Sequence, residues 1–200
     1  MNLFGAENIQ ENLLPEGGTL IYYGKILSAA EAENYFKILM ETVPWKNDEM
    51  VIFGKRIVTS RKIAWFANEN TSYTYSNTTK QAFPWTKELL ELKKRVEEIS
   101  KTQFNSCLLN LYHSGEEGLG WHSDNEKTLG ENPIIASLSL GAERKFMLKH
   151  KISKKNISLT PENGSLLVMK DETQENWLHS LPKTKKVKTP RINLTFREMI

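Results

Sequence analysis

Arg191-Ile192-Asn193-Leu194-Thr195-Phe196-Arg197 alternates polar and apolar residues without a break. In a β-strand, residues two apart share a face, so Arg191, Asn193, Thr195 and Arg197 project one way and Ile192, Leu194 and Phe196 the other. The apolar trio requires a core. The polar face then lines a cavity, and two arginines there require anions, because an uncompensated buried charge costs several kcal/mol.

Working outward, the chain after Phe104 is a series of short β-rich runs: Ser106 to Tyr112, Ile134 to Leu140, Lys145 to His150 and Ser165 to Lys170, with Gly, Pro, Asn and Asp between them. Asn110 and Tyr112 share one face of their run and offer an amide and a phenol as donors. Ahead of the strands the periodicity is helical. Ser28 with Glu31 forms a capping box for a helix over Ala29 to Thr42, carrying Tyr35, Phe36, Leu39 and Met40 at helical spacing. A second helix is predicted over Pro84 to Ser100, its apolar stripe formed by Leu89, Leu92, Val96 and Ile99. Two helices before many short strands predict an α+β fold in which helices pack on a jelly roll.

The chemistry is concentrated in Trp121-His122-Ser123-Asp124 and in His179, 55 positions beyond Asp124. Only four histidines occur, at 113, 122, 150 and 179. Two imidazoles and one carboxylate on one face of a metal leave the opposite face open, the pattern of non-haem Fe(II) oxygenases. Arg191 on the last strand can anchor a dicarboxylic co-substrate through its planar fork, which points to 2-oxoglutarate beside Fe(II) and O2.

The surrounding text resembles the AlkB family of nucleic-acid dealkylating oxygenases. The matching segments are Asn110-Leu111-Tyr112, Trp121 to Glu126, Pro133 to Gly141, Gly164 to Leu167, His179-Ser180-Leu181-Pro182 and Pro190 to Arg197, in the family's order from about Val51 to Arg197. The resemblance implies a double-stranded β-helix with supporting N-terminal helices and a nucleotide-recognition lid. It also implies one domain, with residues 1–104 as extension, helices and lid and 105–200 as catalytic core. His122, Asp124 and His179 are the implied metal ligands. Asn110, Tyr112, Arg191, Asn193, Thr195 and Arg197 are the implied 2-oxoglutarate neighbours, with Arg191 on the carboxylate remote from the metal and Arg197 bracing the other end. The implied reaction decarboxylates 2-oxoglutarate to succinate and hydroxylates an N-linked alkyl carbon, which leaves as formaldehyde.

For the substrate, the resemblance places Tyr75 on one face of a flipped base, the His122 ring opposite, Tyr73 nearby and Glu126 at the base edge. Phe53-Gly54-Lys55 resembles the finger that fills the gap left by a flipped base, and Arg61 and Lys62 are candidate phosphate contacts together with Lys183, Lys185, Lys186 and Lys188. Duplex DNA is the expected partner, with single strands and RNA left open.

Composition is consistent with this. Formal net charge is only +3, but residues 1–50 hold eight Asp/Glu against three Lys/Arg, whereas 142–191 hold twelve Lys/Arg against five Asp/Glu. A basic half suits phosphates, which release counterions when neutralised. Cys107 is the sole cysteine, which rules out an intrachain disulfide. No apolar run reaches bilayer length and Met1 to Gly18 lacks a secretory pattern. The expectation is a soluble cytosolic monomer, nucleoid-associated in a bacterium or nuclear in a eukaryote. Two other readings fit the same triad: an oxygenase acting on protein or a small molecule, and a non-enzymatic jelly-roll binding protein.

Overall fold

In the computed structural model, residues 11–52, 55–68, 72–75 and 78–200 are described. The chain runs β1 (Thr19–Lys25), α1 (Ala29–Thr42), β2 (Lys46–Ile52), β3 (Lys55–Ala67), β4 (Ser72–Tyr75), β5 (Thr78–Gln81) and α2 (Lys87–Ser100), then β6 (Ser106–Tyr112) and β7 (Leu119–His122). It continues through β8 (Ile135–Gly141), β9 (Phe146–His150), β10 (Asn156–Leu159), β11 (Ser165–Lys170), the short α3 (Thr173–Asn176), β12 (Trp177–Leu181) and β13 (Arg191–Arg197). A seven-stranded sheet in the order β1-β11-β8-β13-β6-β3-β2 and a four-stranded sheet β10-β9-β12-β7 enclose the interior between them; β4 and β5 pair separately. Among the described residues no helix is long and apolar enough to cross a membrane.

The strict alternation of β13 is what separates the two faces of the large sheet. Ile192, Leu194 and Phe196 are fully buried in a cluster with Leu109 and Leu111 of β6, Leu138 and Leu140 of β8, and the stripes Leu39 of α1 and Leu89, Leu92 and Val96 of α2. Both predicted helices are thus the outer cover of this sheet. The capping box is present: Ser28 Oγ accepts from Glu31 N while Glu31 Oε2 accepts from Ser28 N. The second helix starts at Lys87 rather than Pro84, because the Thr86 side chain accepts from Leu89 N and fixes the start there.

The other face of the large sheet meets the small sheet. Leu20, Ile135, Leu148, Leu167, Met169 and Trp177 form a second apolar cluster at one end of that interior, and the polar row of β13 occupies the rest. The expected order of helices before strands is corrected by the structure, since five strands precede α2. β1, β2 and β3 all belong to the large sheet. Their text resisted reading because β2 and the start of β3 lie at its edge, where charged residues interrupt the alternation.

Gly141 ends β8 at φ 79°, and a Cβ there would lie 2.6 Å from the Pro190 carbonyl and 2.6 Å from Phe36 Cε2. Phe36 can turn; the carbonyl cannot. Gly141→Ala is expected to lower stability by ~3 kcal/mol or more. Gly24, also at positive φ but with nothing within 4 Å of its Cβ, should lose only ~1 kcal/mol on the same change, from left-handed strain alone. Urea unfolding of the two variants checks the difference.

Candidate metal and co-substrate site

β7 and β12 are antiparallel neighbours, and their register sets His122 directly against His179. The two rings lie 4.2 Å apart between centroids. β7 ends at His122, so the chain leaves the sheet through Ser123 and brings Asp124 back beneath the imidazoles. The departing loop is tied down: Asp124 N donates to Gln174 Oε1 at 2.9 Å, and Lys151 Nζ donates to Ser123 Oγ and to the Gln174 carbonyl. One ligand atom from each of His122, Asp124 and His179 then falls within 4.8 Å of the other two, the one such cluster among the described residues.

Protonation states favour a cation. His122 Nδ1 donates to the Gly120 carbonyl at 2.8 Å, a tautomer that leaves the Nε2 lone pair facing Asp124 Oδ1 at 3.9 Å. Burial pushes the His179 imidazole down to about 3, against the opposing pull of Asp124, so it is neutral and basic at its free nitrogen near pH 7. Burial would raise Asp124, but the Arg197 cation, which also donates to it, outweighs burial and holds the carboxyl well below the usual carboxylate range. The neutral His179, the His122 ring with its Nε2 turned inward and an ionised carboxylate form a donor set that fits a divalent metal with open positions.

Arg197 Nη2 donates to Asp124 Oδ2 at 2.7 Å. This differs from the expectation that both inner arginines need an added anion: Arg197 finds its counter-charge in the protein. Arg191 finds none among the described residues. Its side chain is buried, its Nη2 donates to Ser139 Oγ at 2.9 Å, its guanidinium lies over the Tyr112 ring at 5.8 Å, and its Nε has no partner among the described residues. Burial pulls its pKa down to about 10, with Tyr112 opposing, which still leaves it charged at neutral pH. A buried, charged, half-satisfied guanidinium lining the same cavity as the triad fits the remote carboxylate of a dicarboxylic acid.

These groups face one cavity of about 550 Å3, within the range of small-molecule sites. Asn110, Tyr112, Asn193, Thr195 and Glu126 line it as well. Asn193 is already committed, its amide donating to Ser137 Oγ and the Leu138 carbonyl and accepting from Thr195 Oγ1. Arg61 is corrected from a phosphate contact: it is buried inside the cavity wall, ion-paired with Asp48 and donating to Asn110. Its position on the inner face of β3, two residues before the cavity-lining Ile63, takes it away from solvent. Lys62, on the next position, is half-buried and in register with Asn47 and Leu111. Tyr73 and Tyr75 lie on β4, but their side chains, like that of Lys55, lie outside the described set, as do Phe53 and Gly54 altogether.

Sequence reading missed Ser139, Asp48, Gln174 and Trp121. Ser137 and Ser139 alternate with apolar residues in β8, a pattern that could have marked them as inward-facing. Gln174, in a short polar stretch between β11 and β12, gave no signal. Trp121 stands 44% exposed at the cavity wall beside His122.

A jelly roll with an open two-histidine, one-carboxylate cluster and a cationic inner wall defines a non-haem metal oxygenase framework. The chain matches the family described as the 2OG-Fe(II) oxygenase superfamily over residues 19–197. It is 38% identical over 177 residues to alkB homolog 3, an alpha-ketoglutarate-dependent dioxygenase of Bos taurus, covering 84% of this chain and 61% of that protein. It is 34% identical to the DNA oxidative demethylase ALKBH2 of Arabidopsis thaliana (92% and 67% covered) and 36% identical to human alkB homolog 3 (93% and 68%). The chain therefore spans roughly two thirds of the length of these relatives. A solved structure of OsALKBH1 superposes with a TM-score of 0.62 at 14% identity, covering 92% of this chain and 98% of that one, which supports the same fold. The chain belongs to the AlkB family of 2OG-Fe(II) oxygenases, whose cofactor set is Fe(II), 2-oxoglutarate and O2.

Replacing any of the three ligands by Ala is expected to abolish tight Mn(II) binding, but with unequal costs in stability. His122→Ala and His179→Ala should leave melting nearly unchanged. Asp124→Ala also strips Arg197 of its anion and should cost ~3 kcal/mol or more. Metal titration alongside thermal melting checks both; equal melting in all three would remove the Asp124–Arg197 coupling.

Proposed function

We propose that this protein is a dioxygenase that removes alkyl groups from the nitrogens of DNA bases. The observation that carries the reading is the convergence of His122, Asp124 and His179 with the buried cation Arg191 on one cavity. The names of the relatives, dioxygenase and DNA oxidative demethylase, supply the substrate class. In this reading His122, Asp124 and His179 hold Fe(II), Arg191 holds the far carboxylate of 2-oxoglutarate, and Asn110 and Tyr112 donate to the co-substrate from β6. Bound iron with 2-oxoglutarate supplies the oxidising chemistry, in which one oxygen atom of O2 enters succinate as CO2 leaves and the other enters the N-alkyl carbon.

The protein's own residues position and shield. Leu119, Phe146 and Leu181 line the cavity around the metal ligands with apolar surface and limit water there. Glu126 in the same wall suits an alkylated base, which often carries positive charge. Tyr73, Tyr75 and the Phe53-Gly54-Lys55 segment are assigned to base stacking and to the duplex gap on sequence grounds. Lys183, Lys185, Lys186 and Lys188 are exposed on the segment leaving β12 and are assigned to backbone phosphates. Residues 1–104 supply the lid and supporting elements in the same reading, and the protein acts as a soluble monomer on duplex DNA in preference to single strands or RNA.

Formaldehyde release from N-methylated oligonucleotides tests this directly. The expected order is duplex DNA first, then single-stranded DNA, then RNA, with none from unmethylated strands. Arg191→Lys keeps the charge and loses the fork, so the KM for 2-oxoglutarate should rise about tenfold or more while oligonucleotide affinity holds. Decarboxylation of 2-oxoglutarate that no methylated nucleic acid stimulates would instead favour a protein or small-molecule substrate.

A further inference from the structure

Three polar side chains cross the inner face of the large sheet on adjacent strands: Asp48 on β2, Arg61 on β3 and Asn110 on β6. Their exposures are 9%, 7% and 5%, and all three line the cavity. Arg61 Nη2 is ion-paired with Asp48 Oδ2, and Arg61 Nη1 donates to Asn110 Oδ1 at 3.0 Å. A guanidinium carries donors and no acceptor. The Asn110 carboxamide must therefore turn its oxygen to Arg61, which leaves its NH2 group on the other side. Among the described residues that Nδ2 donates to nothing.

We infer that the Asp48–Arg61 pair is a positioning device that locks the Asn110 amide with its NH2 turned into the cavity, as a fixed donor to an anionic 2-oxo acid. The inference rests on the co-substrate reading above. Without the Arg61 donor, the amide is free to rotate by half a turn about its last bond and present its oxygen to the anion, which repels it. Asp48 has a matching task. It neutralises Arg61, so the pair imposes orientation without adding net charge, and Arg191 stays the cation that selects the dicarboxylate. Neither Asp48 nor Arg61 touches the co-substrate in this arrangement; they act through Asn110.

The test replaces the pair by apolar side chains of similar bulk, Asp48→Leu with Arg61→Met, an exchange that buried ion pairs often tolerate without loss of stability. Protein loaded with redox-silent Zn(II) is titrated with 2-oxoglutarate by calorimetry, so that binding is read without turnover. The dissociation constant should rise about tenfold, the size of a lost hydrogen bond to a charged ligand, with melting temperature and oligonucleotide affinity unchanged. Asn110→Ala should weaken binding equally, and adding the double exchange to it should weaken it no further, because the pair acts only through that amide. Should the double variant fail to fold, Arg61→Lys decides: one ammonium keeps Asp48 company but cannot reproduce the fork, and a several-fold loss is expected. Unaltered affinity in the variant that folds, or a loss that persists in full on the Asn110→Ala background, would overturn the inference. Failure of the unaltered protein to bind 2-oxoglutarate would overturn the co-substrate reading itself, and the inference with it.

Discussion

A charged guanidinium buried inside a barrel, with no carboxylate among the described residues to meet it, is the constraint around which this structure is arranged. Arg191 lies on the central strand β13, whose opposite face is among the most tightly packed parts of the core, so it cannot swing out to solvent without dismantling that packing. Ser139 and the Tyr112 ring satisfy it in part and lower the cost of burying it without removing that cost. What would meet it is chemically specific: an anion of planar, two-oxygen geometry in the cavity that Arg191 shares with the metal cluster. In the proposed reading, affinity for the co-substrate is built from a charge that no described carboxylate compensates.

At the other end of the same strand the opposite choice was made. Arg197 is compensated by Asp124, and this pairing keeps the carboxylate ionised and oriented with one oxygen left for metal. One strand therefore carries two inner arginines in different surroundings, one paired with a carboxylate of the metal cluster from behind and the other, in the proposed reading, directed at the co-substrate. The His122 tautomer set by the Gly120 carbonyl and the desolvated, neutral His179 serve the same end, since a metal requires free lone pairs and protonated imidazoles supply none.

How much of this was legible in the sequence depended on local periodicity. β6, β11 and β13 were read to the residue, β13 because strict alternation separates a helix-covered face from a cavity face, β6 and β11 because short apolar runs are bounded by turn residues. α1 was equally clear from its capping box and stripe. The edge elements were not. β2 and β3 begin with charged residues that break the alternation in the text, and Arg61 looked like a surface cation until its hydrogen bond to Asn110 placed it on the inner face of the sheet. The His-x-Asp spacing announced the triad, but nothing in the text around Gln174 shows that a glutamine fifty residues away holds the Asp124 amide. Sequence shows which side chains share a face; which faces meet is decided by strand order.

The central claim is that Arg191 selects for a second carboxylate on the co-substrate. Calorimetric titration of the Zn(II)-loaded protein with 2-oxoglutarate and, separately, with pyruvate, which shares the chelating keto acid and lacks the remote carboxylate, measures that selection alone. The account predicts one-to-one binding of 2-oxoglutarate and affinity for pyruvate weaker by at least about a hundredfold, as expected when a buried charge is left unpaired. Equal affinity for the two acids would contradict it, and would make Arg191 a structural residue of the barrel.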